Sequence, residues 1–396
     1  RIPPAMIVYP RSENDVRKTA RFAWQLAERG RPIPLTARGS GTDQGGASIG
    51  KGIIMAFPAH MNRLIELDTK RGTVIVEPGI NFGKLQQTLH THGLFLPPYP
   101  ASLEYSTVGG AVANNASGEK SVKYGSMRNY VDTVRVVLAN GEVIETKKLS
   151  KRDLSKKMGL STFEGEIYRS LDASIEENKE LIQTISLPVT KNSTGYALNQ
   201  VKDKKGSFDL TPLFIGAQGT LGVLTEIKLL TEPYNPTTAL MMISLNDLAD
   251  SQDVLNELRK LPKPPSAVEV VDEHLLNFVS SQNPNQLKGL VKAPFPKLIL
   301  LVEFDDQSVK TQRKSVKKIS KWLEKKSISY RVEIEEDKQL ELWKVRHAAA
   351  TVLAQNNGRA VAVPVIEDGI VPVDRFGEYL AGVYEIFTKN HMQTAV

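Results

Sequence analysis

Residues 36–46 have the glycine-rich sequence TARGSGTDQGG, and residues 33–37, which overlap its start, are predicted to form a strand. Its glycines let successive backbone N–H groups converge on an anion, because no Cβ blocks the approach. Arg38 adds a positive charge, and Thr42 and Gln44 add neutral donors. The stretch therefore predicts a phosphate-binding loop, called loop 1 below.

Loop 1 does not have the spacing of a nicotinamide-binding fingerprint. Gly39, Gly41 and Gly45 give G-x-G-x-x-x-G instead of G-x-G-x-x-G, and more glycine follows where an amphipathic helix should begin. A Rossmann dinucleotide site is therefore the weaker alternative.

A second glycine-rich stretch, PASLEYSTVGGAVANNASG at residues 100–118, is called loop 2. Alone, such a stretch is more often a structural turn than a ligand site. A diphosphate bridge carries two negative charges and needs donors from both sides, so two such loops in one β–α framework predict a pyrophosphate cradle. The predicted donors of loop 2 are the backbone of Thr107, Gly109 and Gly110 and the side chains of Ser106, Asn114 and Ser117.

The flanking sequence supplies the framework. Ser12, with Asp15 three residues later, predicts the start of a helix between strands at 5–9 and 33–37. Asn140-Gly141 predicts a hairpin, and the lysine- and glutamate-rich residues 148–186 predict an inserted helical segment.

Pro233 and Pro236 mark a domain boundary. Beyond them strands and helices alternate, ending with a predicted strand at 360–366. This pattern predicts a separate α+β domain, with one sheet and its helices mainly on one side.

Composition excludes several classes of protein. The 396 residues contain no cysteine, so disulfides, thiolate metal sites and iron–sulfur ligation within the chain are excluded. The formal net charge of +7 is concentrated in residues 147–157 and 310–326. We interpret these as solvated faces and predict no nucleic-acid binding, because no aromatic residues are interleaved; contact with an anionic membrane is left open. No apolar run reaches membrane-spanning length, and no secretory signal pattern is present, so we expect a cytoplasmic protein.

Six motifs in order make the interpretation specific: TARGSGTDQGG, VEPG, STVGGAVANNASG, KYGSMRNYV, KNSTGYAL and GAQGTLGVLTE. They resemble the PCMH-type FAD-binding domain of the vanillyl-alcohol oxidase / p-cresol methylhydroxylase superfamily. Within it, the likeness is to the D-lactate dehydrogenase, glycolate oxidase and D-2-hydroxyglutarate dehydrogenase branch. The resemblance implies an α+β fold: a two-part FAD-binding domain at 1–232, then an α+β cap domain with an antiparallel sheet at 233–396, incomplete at its C-terminus.

The resemblance also implies which residues bind FAD. Loop 1 and loop 2 would hold the pyrophosphate, Pro78-Gly79 would lie alongside the cofactor, Tyr124-Gly125 would close loop 2, and Gly222-Val223 would face the ADP half. The full implied set is Arg38, Gly39, Ser40, Gly41, Thr42, Gln44, Gly45, Pro78, Gly79, Pro100, Ser106, Thr107, Gly109, Gly110, Asn114, Gly118, Tyr124, Gly125, Gly222 and Val223.

This chain departs from the family pattern at two points. Ala217-Gln218 stands where the family usually has Ser-Glu, so a carboxylate becomes a neutral amide. Branches that attach FAD covalently use a histidine in or near loop 1, and none is present here. We therefore expect non-covalent FAD.

The cap domain carries the expected substrate contact. Trp343 and Arg346 match the family's Trp-x-x-Arg segment and share a helix face. Without the resemblance, Arg346 would read as a surface arginine; with it, Arg346 is the expected partner of the substrate carboxylate, because its planar fork can bind a carboxylate at two points.

A second segment, around Glu367-Asp368, also matches the family, although the two carboxylates fit ordinary strand-end residues equally well. Ile366 replaces the lysine of hydroxyglutarate-type members. This replacement favours a substrate with a single carboxylate, such as lactate or glycolate.

We predict no metal site in these residues. Family members carry a later His-x-Gly-Asp-Gly-Asn-x-His segment that supplies the base and binds a divalent metal; the chain runs from Arg1 to Val396 without it, so we expect a fragment that binds FAD yet turns over poorly, with any metal in the full-length protein. The histidines present, at positions 60, 90, 92, 274, 347 and 391, are all interpreted as surface residues.

The resemblance implies an FAD-dependent dehydrogenase that oxidises a D-2-hydroxyacid, with electrons passing to a quinone, a carrier protein or a partner subunit. A homodimer and peripheral contact with the inner face of a membrane are left open as further partners. Two alternatives stay open: a non-catalytic FAD-binding subunit of a glycolate oxidase-like complex, and a flavin reductase that uses NAD(P)H.

Overall fold

The computed structural model describes residues 2–184, 187, 189, 191–283, 285, 287–354 and 369–392, with the backbone alone for 348–354. The chain forms two compact units. The first contains Arg1–Gly118, Tyr124–Leu187 and Lys191–Tyr234; the second contains Glu119–Lys123, Pro188–Thr190 and Asn235–Val396. Strands and helices are mixed in both units, and the predicted α+β class is confirmed.

The first unit contains a small parallel sheet and a larger antiparallel one. In chain order the elements are β1 (Met6–Val8), α1 (Glu13–Glu28), β2 (Leu35–Arg38), β3 (Ile53–Ala56), β4 (Leu64–Asp68), β5 (Thr73–Val76), α2 (Phe82–Thr91), β6 (Leu94–Phe95), α3 (Val108–Ala113), α4 (Ser121–Tyr124, mostly in the second unit), β7 (Val131–Val137), β8 (Val143–Glu145), α5 (Lys151–Met158), α6 (Phe163–Glu177), α7 (Lys179–Thr184), α8 (Thr211–Phe214), β9 (Val223–Leu230) and β10 (Glu232–Pro233).

The parallel sheet has the order β1-β3-β2, so β3 separates the two strands that α1 joins. The antiparallel sheet has the order β4-β5-β9-β7-β8. Helix α1 begins where predicted: Ser12 and Asp15 form a capping box, and Val16 and Ala20 are buried against Met55 of β3. Loop 1 therefore starts at the carboxyl end of β2, a parallel strand in a fixed sheet.

Other predictions for the first unit are confirmed. Asn140-Gly141 turns the chain between β7 and β8, with Gly141 at φ 83°. Residues 148–186 contain α5, α6 and α7.

The second unit is one antiparallel sheet with helices. Its elements are β11 (Ala239–Leu245), α9 (Ala249–Arg259), β12 (Ala267–Asp272), α10 (Glu273–Gln282), β13 (Leu298–Phe304), α11 (Val309–Lys325), β14 (Ser329–Glu333), α12 (Glu336–Ala354) and α13 (Phe376–Lys389). The strand order is β12-β13-β11-β14, antiparallel throughout. The predicted strand at 360–366 lies outside the described residues.

The prediction that helices cover mainly one side of this sheet is wrong. Side chains of α10 and α12 form a core on one face, with Ile299 and Leu301. Side chains of α9, α11 and α13 form a second core on the opposite face, with Leu298 and Leu300. Every residue of β13 is buried, which is typical of a strand covered on both faces.

Candidate cofactor-binding site

A cleft in the first unit is lined by three segments: loop 1, loop 2 with α3, and residues 217–224, called loop 3. It encloses about 1090 Å³, including its open mouth. Many of the residues predicted to bind the cofactor line it: Arg38, Gly39, Ser40, Gly41, Thr42, Pro78, Pro100, Ser106, Thr107, Gly109, Gly110, Asn114 and Gly222.

Loop 1 and loop 2 meet at two points. A Cβ on Gly39 would lie 2.2 Å from Thr107 Oγ1, so only glycine allows this approach. Farther along, Asn114 Nδ2 donates to Asp43 Oδ1 at 3.2 Å. The two loops thus form the two sides of one cradle.

Several backbone N–H groups of loop 1 have no hydrogen-bond acceptor among the described residues. Within the described part of the chain, no acceptor takes the N–H groups of residues 39–42. Arg38 is folded against the loop, because Nη1 donates to Ser48 O at 2.9 Å and a Cβ on Gly41, at φ 75°, would lie 2.2 Å from Nη2. The loop therefore presents consecutive N–H groups with a guanidinium beside them, an arrangement suited to an anion.

Loop 2 differs from the prediction. The N–H of Gly109 donates to Pro78 O at 2.8 Å, and that of Gly110 donates to Thr107 Oγ1 at 3.2 Å. These two amides hold the start of α3 and are not free for a ligand. The hydroxyl of Ser106, buried at the cleft wall, has no hydrogen-bond partner among the described residues, so loop 2 offers this side chain as a donor.

Loop 3 contributes lining residues that were not predicted, including Ala217, Gln218 and Gly219. Gln218 N donates to Ala113 O at 3.0 Å, which fastens the loop to the C-terminal end of α3. Gln218 has φ 51° and Gly219 has φ 77°, a left-handed pair that turns the chain at the cleft. The departure Ala217-Gln218 noted in the sequence therefore lies at the cleft itself.

The remaining predicted cofactor residues lie outside the cleft lining. Gly79 packs under the cradle, where a Cβ would meet Phe57 O at 2.5 Å, and Gly118 lies against Tyr99 O. Tyr124 packs edge-on against Phe95 at 5.5 Å. The others are Gln44 and Gly45 on the exposed rim of loop 1, Gly125 beside Asn129, and Val223 in the core.

Arg346 lies in the second unit, on α12, next to Glu269, which was not predicted from the sequence. Its Nε donates to Glu269 Oε2 of β12 at 2.6 Å. Burial raises the pKa of Glu269, while the Arg346 guanidinium acts to lower it. The sequence contained one indication of this residue: Glu269 is acidic, whereas Ala267 and Val271, on the same face of β12, are apolar and buried.

The neighbouring His347 is exposed, as predicted, but it has an acidic partner. Its Nε2 lies 2.6 Å from Glu119 Oε1, and its ring stacks on Trp343 with centroids 6.0 Å apart. Ile366, Glu367 and Asp368 lie outside the described residues. Within the described ranges, no group of three histidine, aspartate or glutamate residues could hold a metal, and no helix is long and apolar enough to cross a membrane.

The chain matches two protein families. The FAD binding domain family matches residues 4–147, and the FAD linked oxidases, C-terminal domain, match residues 235–396. The chain belongs to the FAD-linked oxidases, as its motifs predicted.

Two enzymes and one enzyme subunit are similar to this chain. The D-2-hydroxyglutarate dehydrogenase of Escherichia coli (strain K12) is 30% identical over 398 residues, 96% of this chain but 38% of that protein. The glycolate oxidase subunit GlcD of Bacillus subtilis (strain 168) is 25% identical over 98% of this chain and 68% of that protein. A solved 4-ethylphenol oxidase from Gulosibacter chungangensis shares the fold, with a TM-score of 0.58 at 17% identity over 88% of this chain and 63% of its own. The chain thus spans well under half the length of the hydroxyglutarate dehydrogenases it matches.

The residues of the cleft fit an FAD diphosphate. Loop 1 offers unused backbone donors, Ser106 offers a buried hydroxyl without a partner among the described residues, and Gly39 adds no side chain where loop 1 approaches Thr107. FAD is the cofactor of this family, and this cleft has the donors that it requires.

Proposed function

We propose that the protein is an FAD-dependent oxidoreductase that oxidises a D-2-hydroxyacid, of the lactate or glycolate type, to the 2-oxoacid. The observation that carries the proposal is the cleft between loops 1, 2 and 3, with its unused donors. The names of its relatives, a D-2-hydroxyglutarate dehydrogenase and a glycolate oxidase subunit, support 2-hydroxyacids as the substrate class.

In this proposal residues 1–232 bind FAD and residues 233–396 bind the substrate. FAD, when bound, supplies a hydride acceptor at flavin N5. Loop 1 holds the diphosphate through its N–H groups, and Ser106 donates its hydroxyl. Those predicted residues that lie outside the cleft lining support the loops. FAD is held without a covalent bond.

Arg346 is the proposed partner of the substrate carboxylate. It is 35% exposed at its side chain, so its guanidinium is accessible to a small anion. An Arg–carboxylate pair can form two parallel hydrogen bonds, which fixes the orientation of the acid as well as its affinity. In this role Arg346 binds the acid and orients it, and takes no proton.

Finer proposals concern partners. Electrons leave to a quinone, a carrier protein or a partner subunit; the naming of one relative as a subunit supports the last of these. The exposed lysines of α11, such as Lys314, Lys317 and Lys321, support contact with an anionic surface at the cytoplasmic face of a membrane. Self-association as a homodimer is a further proposal, which sedimentation velocity tests.

The test is anaerobic reduction of the bound flavin. The FAD-loaded protein is mixed with D- and L-lactate, glycolate and D-2-hydroxyglutarate, and the flavin absorbance near the visible maximum is followed. Bleaching by a D-2-hydroxyacid supports the proposal. Bleaching by NADPH and by none of the acids would instead identify a flavin reductase, and no bleaching by any of them would favour a non-catalytic FAD-binding subunit.

A further inference from the structure

Two strands of the sheet in the second unit carry carboxylates that have cationic partners. On β13, Glu303 accepts from Lys120 at 2.5 Å, and just after the strand Asp305 accepts from Lys123 at 2.5 Å. On β12, Glu269 faces the same side as the buried Ala267. Among the described residues, the cationic partner of Glu269 is Arg346.

Glu269 occupies an unfavourable place for a carboxylate. Its side chain is 19% exposed, it shares a strand face with the apolar core residues Ala267 and Val271, and burial raises its pKa. The desolvation of a partly buried ion pair offsets much of its Coulomb attraction, so stability alone explains the pair poorly.

The geometry of the pair leaves part of the guanidinium unused. Glu269 Oε2 accepts a hydrogen bond from the Nε–H of Arg346 at 2.6 Å. Among the described residues, no acceptor pairs with Nη1 or Nη2 of Arg346. A guanidinium has a rigid, planar fork of donors, so fixing Nε fixes the plane and the direction of the Nη1/Nη2 edge.

We propose that Glu269 is a positioning residue for Arg346: it holds the guanidinium by Nε and presents the Nη1/Nη2 edge to the substrate carboxylate. This inference rests on the proposed role of Arg346. The substrate carboxylate then binds the two Nη groups of Arg346, because Glu269 already occupies the Nε–H.

Charge and geometry predict opposite effects at this position. As a negative charge close to the site, Glu269 opposes the binding of an anion, so neutralising it should strengthen binding. As a positioning residue, it needs a side-chain oxygen at hydrogen-bond distance from Arg346 Nε. Glu269→Gln keeps a carbonyl oxygen there and removes the charge, whereas Glu269→Asp keeps the charge and withdraws the oxygen by one methylene.

The experiment measures oxalate binding to the FAD-loaded protein by isothermal titration calorimetry. Oxalate is the probe because it has the carboxylate of a small 2-hydroxyacid and cannot be oxidised by hydride loss. We expect E269Q to bind within about threefold of the unmodified chain or more tightly, and E269D to bind about tenfold more weakly, a change of ~1.4 kcal/mol. R346A should lose at least as much as E269D, and the E269D/R346A double variant should lose no more than R346A.

The matched control is E119Q. It removes the carboxylate that pairs with His347 of α12 and does not bond the Arg346 guanidinium, so the oxalate Kd should stay within about threefold of the unmodified chain or fall. Circular dichroism and thermal melting verify that each variant is folded. Equal weakening by E269Q and E269D, or wild-type binding by E269D, overturns the positioning role. Unchanged binding in R346A has a different meaning: it overturns the proposed carboxylate site, and the role of Glu269 with it.

Discussion

Replacing Gly39 by alanine should weaken FAD binding strongly. The new Cβ would lie 2.2 Å from Thr107 Oγ1 and 3.3 Å from Thr107 Cβ. The hydroxyl cannot rotate away freely, because it caps α3 by accepting from the N–H of Gly110. Either loops 1 and 2 move apart, or α3 loses its N-cap.

The magnitude follows from these two routes. Inserting a methyl group into a closely packed position typically costs about 1–3 kcal/mol, and losing an N-cap hydrogen bond costs about 1 kcal/mol. In the free protein loop 1 can relax towards solvent, so the penalty arises when the cofactor requires the closed cradle. We therefore expect the FAD Kd of G39A to rise roughly 5- to 150-fold, measured by quenching of flavin fluorescence.

Two variants make the result specific. Gly45 lies in the same loop outside the cleft lining, and a Cβ there meets only the Asp43 carboxylate, at 3.5 Å; G45A should therefore bind FAD normally. Removing the Thr107 hydroxyl should relieve the clash, so G39A should be less damaging in a T107A background than in the unmodified chain. The reasoning is refuted if G39A binds FAD as the unmodified chain does, or if G45A loses as much affinity.

Three further predictions concern single side chains. S106A should leave the melting temperature of the cofactor-free protein unchanged or raised, because an unpaired buried hydroxyl is removed, yet raise the FAD Kd about 3- to 10-fold through a lost hydrogen bond of roughly 1 kcal/mol; unchanged FAD affinity would exclude this donor. R346K should keep its ion pair with Glu269 but lose the two-point fork, so the acid concentration that half-saturates anaerobic flavin reduction should rise more than the limiting rate falls, and an unchanged half-saturating concentration would contradict this role. Glu13 accepts two hydrogen bonds from Arg135, which lower its pKa. Its stabilisation should therefore be present above its unfolded-state pKa and lost as pH falls through the lower folded-state pKa; urea unfolding should show E13Q about 1–2 kcal/mol less stable at pH 7, and a gap that does not close on acidification would show that another effect dominates.

The cradle was readable from sequence because its chemistry is local. Gly41, at φ 75°, and the Arg38 guanidinium that lies against it are three residues apart, so a local pattern carries this part of loop 1. Helix α1 was predictable for the same reason, since Ser12 and Asp15 cap it by contacts three residues apart. In these places sequence neighbours are also the interacting partners.

Other features depend on contacts distant in sequence. The amides of Gly109 and Gly110 read as ligand donors, but Pro78 O and the capping Thr107 already accept from them. The pairing of Arg346 with Glu269 joins residues 77 positions apart, and no local pattern predicts it.

The sequence of β13 partly indicated that helices cover both faces of the sheet in the second unit. Residues 298–302 form a continuous apolar run, typical of a strand buried on both faces, and this signal argued against helices on one side only. Because the run has apolar residues on both faces of the strand, it predicts a core on each side of the sheet.

The three-loop cleft should hold FAD without a covalent bond, which acid precipitation of the loaded protein can test. The cofactor-free protein is titrated with FAD, freed of excess by gel filtration and precipitated with acid, and flavin is measured in both fractions. Stoichiometric binding with all flavin released into the supernatant is the predicted result. Failure to bind flavin, or flavin retained by the precipitated chain, contradicts the claim.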